Sequence, residues 1–173
     1  MRARRGFRAG VIEFHAALDR AISGVLALLM AGSVLNVLWQ IVSRYALGDP
    51  SPWTDELARY LLMWFGILGS AAALGRNAHL AVDLLPGKLP GPFLASLDIA
   101  VDFLVGAFSA AVLIFGGSQL VKMSFDLGQY SPAMGLPMGA VYAVIPIAGV
   151  LMVSFSLHSL VLRAGPGGGS SDA

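Results

Sequence analysis

The chain has 173 residues, 57% of them hydrophobic and 12% charged, about half the charged share of an average soluble domain. Its formal net charge is +1, its mean hydropathy +0.76, and it has no cysteine. A disulfide framework and a thiolate metal site are therefore excluded, a water-soluble domain would lack the charge to cover its outside, and nucleic acid is not among the expected partners.

Residues 1–20 form a basic N-terminal segment that opens with Arg2, Arg4, Arg5 and Arg8, placed to meet anionic lipid headgroups at roughly 1 kcal/mol each. The string RRGFR is similar to a twin-arginine export motif. Such a motif leads promptly into a short apolar core and a cleavage site, whereas here Glu13, His15, Asp19 and Arg20 intervene and the apolar run is long enough to span. Residues 10–20 read as an interfacial helix leading into the first span. That span, 21–43, has no charge, and Gly32, Asn36 and Gln40 recur every four residues as a polar stripe in its outer half. Contact within the helical unit is the plain reading of the stripe, and a partner-facing seam the sharper one.

The second run, 57–75, follows SPWTDE. Ser51 is placed to cap the helix, with Pro52 at its first position. Asp55 and Glu56 suit the positive end of the helix dipole. Asp55 and Arg59, four apart, share a face and can pair. At about 100° per residue, Asp55, Arg59, Gly66, Ser70, Ala73 and Asn77 fall on one narrow face, and Trp53, Leu57, Tyr60, Trp64, Ile67 and Leu68 on the opposite one. Small residues let helices approach closely in lipid, and charges in a span face protein rather than lipid. The expectation is a protein-facing seam on the charged and small side, with lipid against the aromatic side and Trp53 and Trp64 as interface anchors.

The connection RNAHLAVDLLPGKLPGP, 76–92, is short and amphipathic. His79 and Asp83 are four apart and two ligands make a weak metal site, so a paired cap at the membrane surface is expected and no metal. In the third run, 99–121, Asp102 lies near the start, one turn after Asp98. Both acids are expected at the cytoplasmic interface, paired with Arg76 or Lys88 rather than lining a proton path. The fourth run, 137–162, has no acid, Lys or Arg. Gly135, Gly139 and Ala143 make a small-residue ridge there, and Pro146 should kink the helix. Residues 163–173 form a flexible tail rich in Gly and Ser.

The four runs are 19 to 26 residues long, and about 20 helical residues cross a bilayer. Backbone polar groups in lipid must be satisfied internally, which favours helices. The fold class is thus an all-α integral membrane protein: four transmembrane helices across 21–162, with a short amphipathic cytoplasmic segment between the second and third. Lys and Arg concentrate in the N-terminal segment, in the 76–92 connection and after span four. The positive-inside rule puts both termini and that connection in the cytoplasm and the 44–56 and 122–136 loops outside. No Gly-rich phosphate loop and no nucleophile–base arrangement stands out, so no enzyme activity is expected. A haem-bearing anchor of a redox complex would need facing axial ligands, and of His15, His79 and His158 only His158 lies in a span. A self-contained exchanger would want an acid in mid-span, where spans one, two and four have none. Both remain as alternatives, and no cofactor is expected.

The order Arg44-Tyr45, WTDELARYLLMWFGILGSAAAL, HLAVDLLPGKLP and YSPAMGLPMGAVYAVIPIAGVLM resembles the small membrane subunit of TRAP transporters, the DctQ-like family of tripartite ATP-independent periplasmic carriers. The likeness covers roughly residues 20–162. Where the family usually has Trp-x-Glu-Glu, this chain has Trp53-Thr54-Asp55-Glu56, whose shorter Asp55 alters reach; the His-x-x-Val-Asp element reads as His79, Val82 and Asp83. The resemblance implies an accessory scaffold in the bacterial inner membrane. Its partners would be a large multi-span subunit that carries the substrate and ion sites, and a periplasmic binding protein that delivers an organic acid of C4-dicarboxylate or sugar-acid type. An ion gradient, not ATP, would drive import. On that reading Asp55, Glu56 and Arg59 organise the periplasmic edge, Gly66, Ser70, Asn36 and Gln40 add to the partner interface, and His79 and Asp83 fix the cytoplasmic connection.

Overall fold

The computed structural model describes the backbone of residues 2–77 and 91–163 and, of these, the side chains of 17–76, 96–97 and 99–160. His79 and Asp83 lie outside the described residues, as do the side chains of Arg2, Arg4, Arg5 and Arg8.

All the long elements are helical. Helix α1 spans Arg2–Tyr45, α2 Pro52–Asn77 and α3 Gly91–Phe108. A π-helical segment, Ser109–Gly116, follows without a break and passes into α4, Gly117–Asp126. Helix α5, Met138–Tyr142, and α6, Val144–Arg163, make up the fourth span. Four stretches are long and apolar enough to cross a membrane: Ala17–Tyr45, Pro52–Arg76, Ile99–Asp126 and Met138–Leu160. The fold is that of a four-span membrane protein, as the composition required.

Helix α1 is longer than the sequence suggests. Its 44 residues extend about 66 Å at 1.5 Å each, about twice the hydrocarbon thickness. The expected interfacial helix over 10–20 is continuous with the span, because nothing between Glu13 and Arg20 breaks the coil. Helix α2 starts where Pro52 fixes φ. The described bonds at its start come from Thr54, whose Oγ1 donates to the Ser51 carbonyl at 2.7 Å, in place of the Ser51 cap expected. Helices α5 and α6 part at Ala143, three residues before Pro146. Proline has no N–H to offer the Tyr142 carbonyl, and the next bond, Ile147 N–H to Ala143 O, is stretched to 3.3 Å.

In space the order is α1, α2, α6, then the span-three helices α3 and α4. The second and fourth spans form the middle of an open layer and the first and third its edges. In the fourth span 28% of the apolar window is buried, against 11% in the first and third. Leu68 and Ala71 of α2 and Val144 and Ala148 of α6 make the central cluster. At the Arg76 end, Ile22, Ala72 and Phe155 draw α1, α2 and α6 together.

Lipid is as apolar as a leucine side chain, so association in the membrane depends on close packing rather than on escape from water. Spans three and four achieve this with interlocking glycines. A Cβ on Gly149 would lie 2.8 Å from Leu113 Cβ and 3.1 Å from the Ile114 backbone nitrogen. One on Gly117 would lie 2.8 Å from Ile145 Cγ2 and 3.0 Å from Pro146 Cδ. The widened π turn presses its own backbone into the gap Gly149 leaves. Of the expected ridge, Gly139 sits under the Phe125 ring, while Gly135 is a turn residue at φ +65°, a conformation that costs glycine little.

Candidate functional site: the two sides of the second span

Asn36 and Gln40 are one turn apart on α1, and the structure turns both toward α2. Asn36 Nδ2 donates to the Thr54 carbonyl at 2.9 Å, and Gln40 Nε2 donates to Asp55 Oδ1. Ser43, 1% exposed, donates to the Gln40 carbonyl at 3.0 Å. Thr54 is fully buried. The amide donors of the polar stripe are thus used within the chain, which is the plain reading of Asn36 and Gln40 as contacts inside the helical unit. Asn36 Oδ1 is buried without a hydrogen-bond donor.

Asp55 gives its oxygen to Gln40, and no Asp55–Arg59 ion pair forms among the described residues. Glu56 faces the other way. Its carboxylate accepts from Ser131 Oγ, and the Ala133 N–H lies 3.2 Å from Oε2. Ser131 in turn accepts the Met134 and Gly135 N–H groups, through Oγ at 3.2 Å and through its carbonyl at 2.9 Å. One carboxylate on α2 therefore fixes the turn that enters span four.

Lower on the same helix, Tyr60 Oη is 3.4 Å from Met138 Sδ, and the Trp64 indole N–H donates to the Val141 carbonyl at 3.0 Å. The aromatic side of α2, expected against lipid, packs on the fourth span. Trp64 is a helix–helix contact rather than an interface anchor. Trp53, near the helix start, is 39% exposed.

The opposite side is uncovered. Asp55, Arg59, Gly66, Ser70 and Ala73 are all exposed. Ser70 Oγ bonds back to the Gly66 carbonyl at 2.8 Å, so it presents a small surface rather than a free hydroxyl. A Cβ on Gly66 would meet nothing within 4 Å.

At the far end of α2, Arg76 Nε pairs with Asp19 Oδ1 at 2.9 Å, and Arg76 also donates to Ser23 Oγ. Both side chains of the pair are well exposed, so it contributes about 1 kcal/mol at most. Arg76 is thus engaged with Asp19, and the Asp98 side chain lies outside the described residues. Asp102 is 5% exposed between α3 and α6; Ser159 Oγ donates to its Oδ2 at 2.6 Å, and Ser156 Oγ donates to its carbonyl. Sequence reasoning missed these two serines. Their three-residue spacing, which puts both on one face of the fourth span, was the signal available. Among the described residues no three His, Cys, Asp or Glu side chains gather as a metal site.

The arrangement is one of anchors and an uncovered helix face. Residues 33–165 match the family model for tripartite ATP-independent periplasmic transporters, DctQ component. A putative TRAP transporter small permease protein of Haemophilus influenzae is 32% identical over 145 residues, 84% of this chain and 86% of that protein. The sialic acid TRAP transporter small permease protein SiaQ of Vibrio cholerae is 34% identical over 122 residues, 67% and 70% of the two chains. The isethionate TRAP transporter permease protein DctMQ of Oleidesulfovibrio alaskensis is 32% identical over 108 residues, 62% of this chain but 17% of that protein.

Proposed function

The chain belongs to the DctQ component family, the small permease subunits of tripartite ATP-independent periplasmic transporters, and on that premise we propose that it is a membrane scaffold, not an enzyme and not itself a conduit. The supporting observation is the exposed face of α2. Arg59, Gly66 and Ser70 lie open to the surroundings while every other polar group described on this helix is engaged within the chain or at its ends. A charge inside a span is costly unless protein or water receives it. The proposed neighbour is the large multi-span subunit, against which this face lies. The isethionate relative, in which the matched segment is 17% of a single permease protein, supports such proximity.

On this reading the chain sits in the bacterial inner membrane with both termini cytoplasmic, its basic segment of Arg2, Arg4, Arg5 and Arg8 on lipid headgroups. His79 and Asp83 fix the cytoplasmic connection. Asp55 and Glu56 hold the periplasmic edge, where a substrate-binding protein docks transiently. The cargo is an organic acid of sugar-acid or C4-dicarboxylate type, moved by an ion gradient through the large subunit. Relatives named for sialic acid and C4-dicarboxylate are in keeping with that class, while those named for isethionate and ectoine lie outside it.

Purification of the chain from native membranes and reconstitution into vesicles test this reading. A large multi-span companion should co-purify, and vesicles holding this chain alone should take up no solute under an imposed ion gradient. Uptake by the chain alone overturns the scaffold role.

A further inference from the structure

Two weak points of the backbone face each other within spans three and four. On span three the π segment ends at Gly117, whose N–H is directed at three carbonyls at once, those of Val112, Leu113 and Ile114. On span four the helix parts at Ala143, and Pro146 has no N–H to donate. The bonds around it, Ala143 N–H to Gly139 O and Ile147 N–H to Ala143 O, are 3.1 and 3.3 Å long. The two points touch. A Cβ on Gly117 would lie 3.0 Å from Pro146 Cδ and 3.2 Å from the Pro146 nitrogen, so the backbone of one span rests on the proline of the other.

In lipid, an amide that loses its acceptor finds no water to replace it. A crossing therefore bends most easily where acceptors are exchanged rather than lost. The Gly117 N–H has that choice: passing from the Val112 to the Leu113 or Ile114 carbonyl changes the closed ring from π to α or 3-10 and never leaves the donor bare. Prolines and π turns are the usual places of helix bending, and here one of each meets the other.

On one side of this level the two spans are tied down. Leu113 and Ile114 are seated over Gly149, and Ser156 and Ser159 both donate to Asp102. On the other side residues 117–142 hold to one another. The Phe125 ring covers Gly139, the Gln129 N–H donates to the Ser124 carbonyl at 3.0 Å, and the Met138 N–H to the Gln129 carbonyl at 2.9 Å. Among the described residues, the side-chain bonds that join this piece to the rest come from α2. Tyr60 and Trp64 meet Met138 and Val141, close to the break. Glu56 reaches the far tip, at Ser131 and Ala133.

We propose that residues 117–142 form a single body that pivots at Gly117 and Ala143–Pro146, with the Glu56 carboxylate as the latch at its tip. From Gly117 to Asp126 the lever is about 15 Å long, so a bend of about 20° carries the tip by roughly 5 Å. A molecule that binds at the 127–137 turn would select among those positions. The pivot needs only the folded chain and no companion, so it does not depend on the scaffold reading.

The chain has no cysteine, so pairs of nitroxide labels can be placed without background. In nanodiscs, double electron–electron resonance compares a pair across the pivot, Ile41→Cys with Leu127→Cys, and a pair away from it, Leu28→Cys with Phe103→Cys; all four positions are exposed. Glu56→Ala should shift or broaden the 41–127 distance by roughly 5 Å and leave the 28–103 distance unchanged. Ser131→Ala, which removes a donor to the latch instead of the acceptor, should act in the same direction. Pro146→Ala added to Glu56→Ala restores an N–H for the Tyr142 carbonyl and should return the 41–127 distribution toward that of the parent. A 41–127 distance that neither latch variant moves overturns the proposal. Broadening of both pairs is a general loosening and overturns the single pivot. Movement that persists with Pro146→Ala overturns the place assigned to the pivot.

Discussion

Glu56 and Ala133 are 77 residues apart in the chain, yet the Ala133 N–H lies 3.2 Å from Glu56 Oε2. The second helix thereby holds the turn that feeds the fourth. Glu56→Ala removes the acceptor of the Ser131 hydroxyl and of this amide, a local loss of roughly 1.5–3 kcal/mol for bonds to a charged group. Amide hydrogen exchange in nanodiscs should rise at 131–136 and stay unchanged in the middle of α2. Glu56→Gln, which can still accept, should give a smaller rise.

Trp64 separates the two possible orientations of α2. With its indole against the Val141 carbonyl, Trp64→Ala should cost about 3–5 kcal/mol, as for a large aromatic removed from packing. Trp64→Phe loses the bond and little volume, roughly 0.6 kcal/mol in a membrane. The midpoint of denaturation in mixed micelles reads both. A Trp64→Ala chain as stable as the parent would mean that this ring faces lipid after all.

Two glycines should respond oppositely to the same added methyl. Gly149→Ala drives a Cβ against Leu113 and the Ile114 backbone, which cannot swing away, and should cost about 1–3 kcal/mol. Gly66→Ala meets nothing within 4 Å and should leave the isolated chain within about 0.5 kcal/mol of its parent. The same micelle titration compares them directly.

Arg59→Leu probes the uncovered face. The chain should insert and fold, since Arg59 is exposed and has no ion pair among the described residues. Co-purification with a large membrane subunit, or solute uptake by the assembled system, should fall. Unchanged assembly and uptake would remove Arg59 from the interface.

The number and place of the spans were legible because length and apolarity alone decide whether a helix can cross a bilayer. The facing of those spans was not. In water an apolar stripe points inward, but in lipid both surroundings of a helix are apolar, so the aromatic side of α2 carries no label. Trp64 was assigned to lipid on bulk, whereas its indole N–H needed an acceptor and found Val141. Asn36 and Gln40 were visible as a stripe, but their partners Thr54 and Asp55 depend on how α1 and α2 register. The π segment left no trace in the spacing, since its cause is the fit of Leu113 and Ile114 over Gly149 on another span.

The side-by-side order of the crossings also bears on how such a chain is made. Spans one and two join through the short 46–51 loop and spans three and four through 127–137, so each hairpin can close as soon as its second helix leaves the insertion machinery. The link between the hairpins is the meeting of α2 with α6, which must wait for the last helix. Nascent chains halted before Val144 should therefore hold a closed first hairpin and a third span still waiting for its partner.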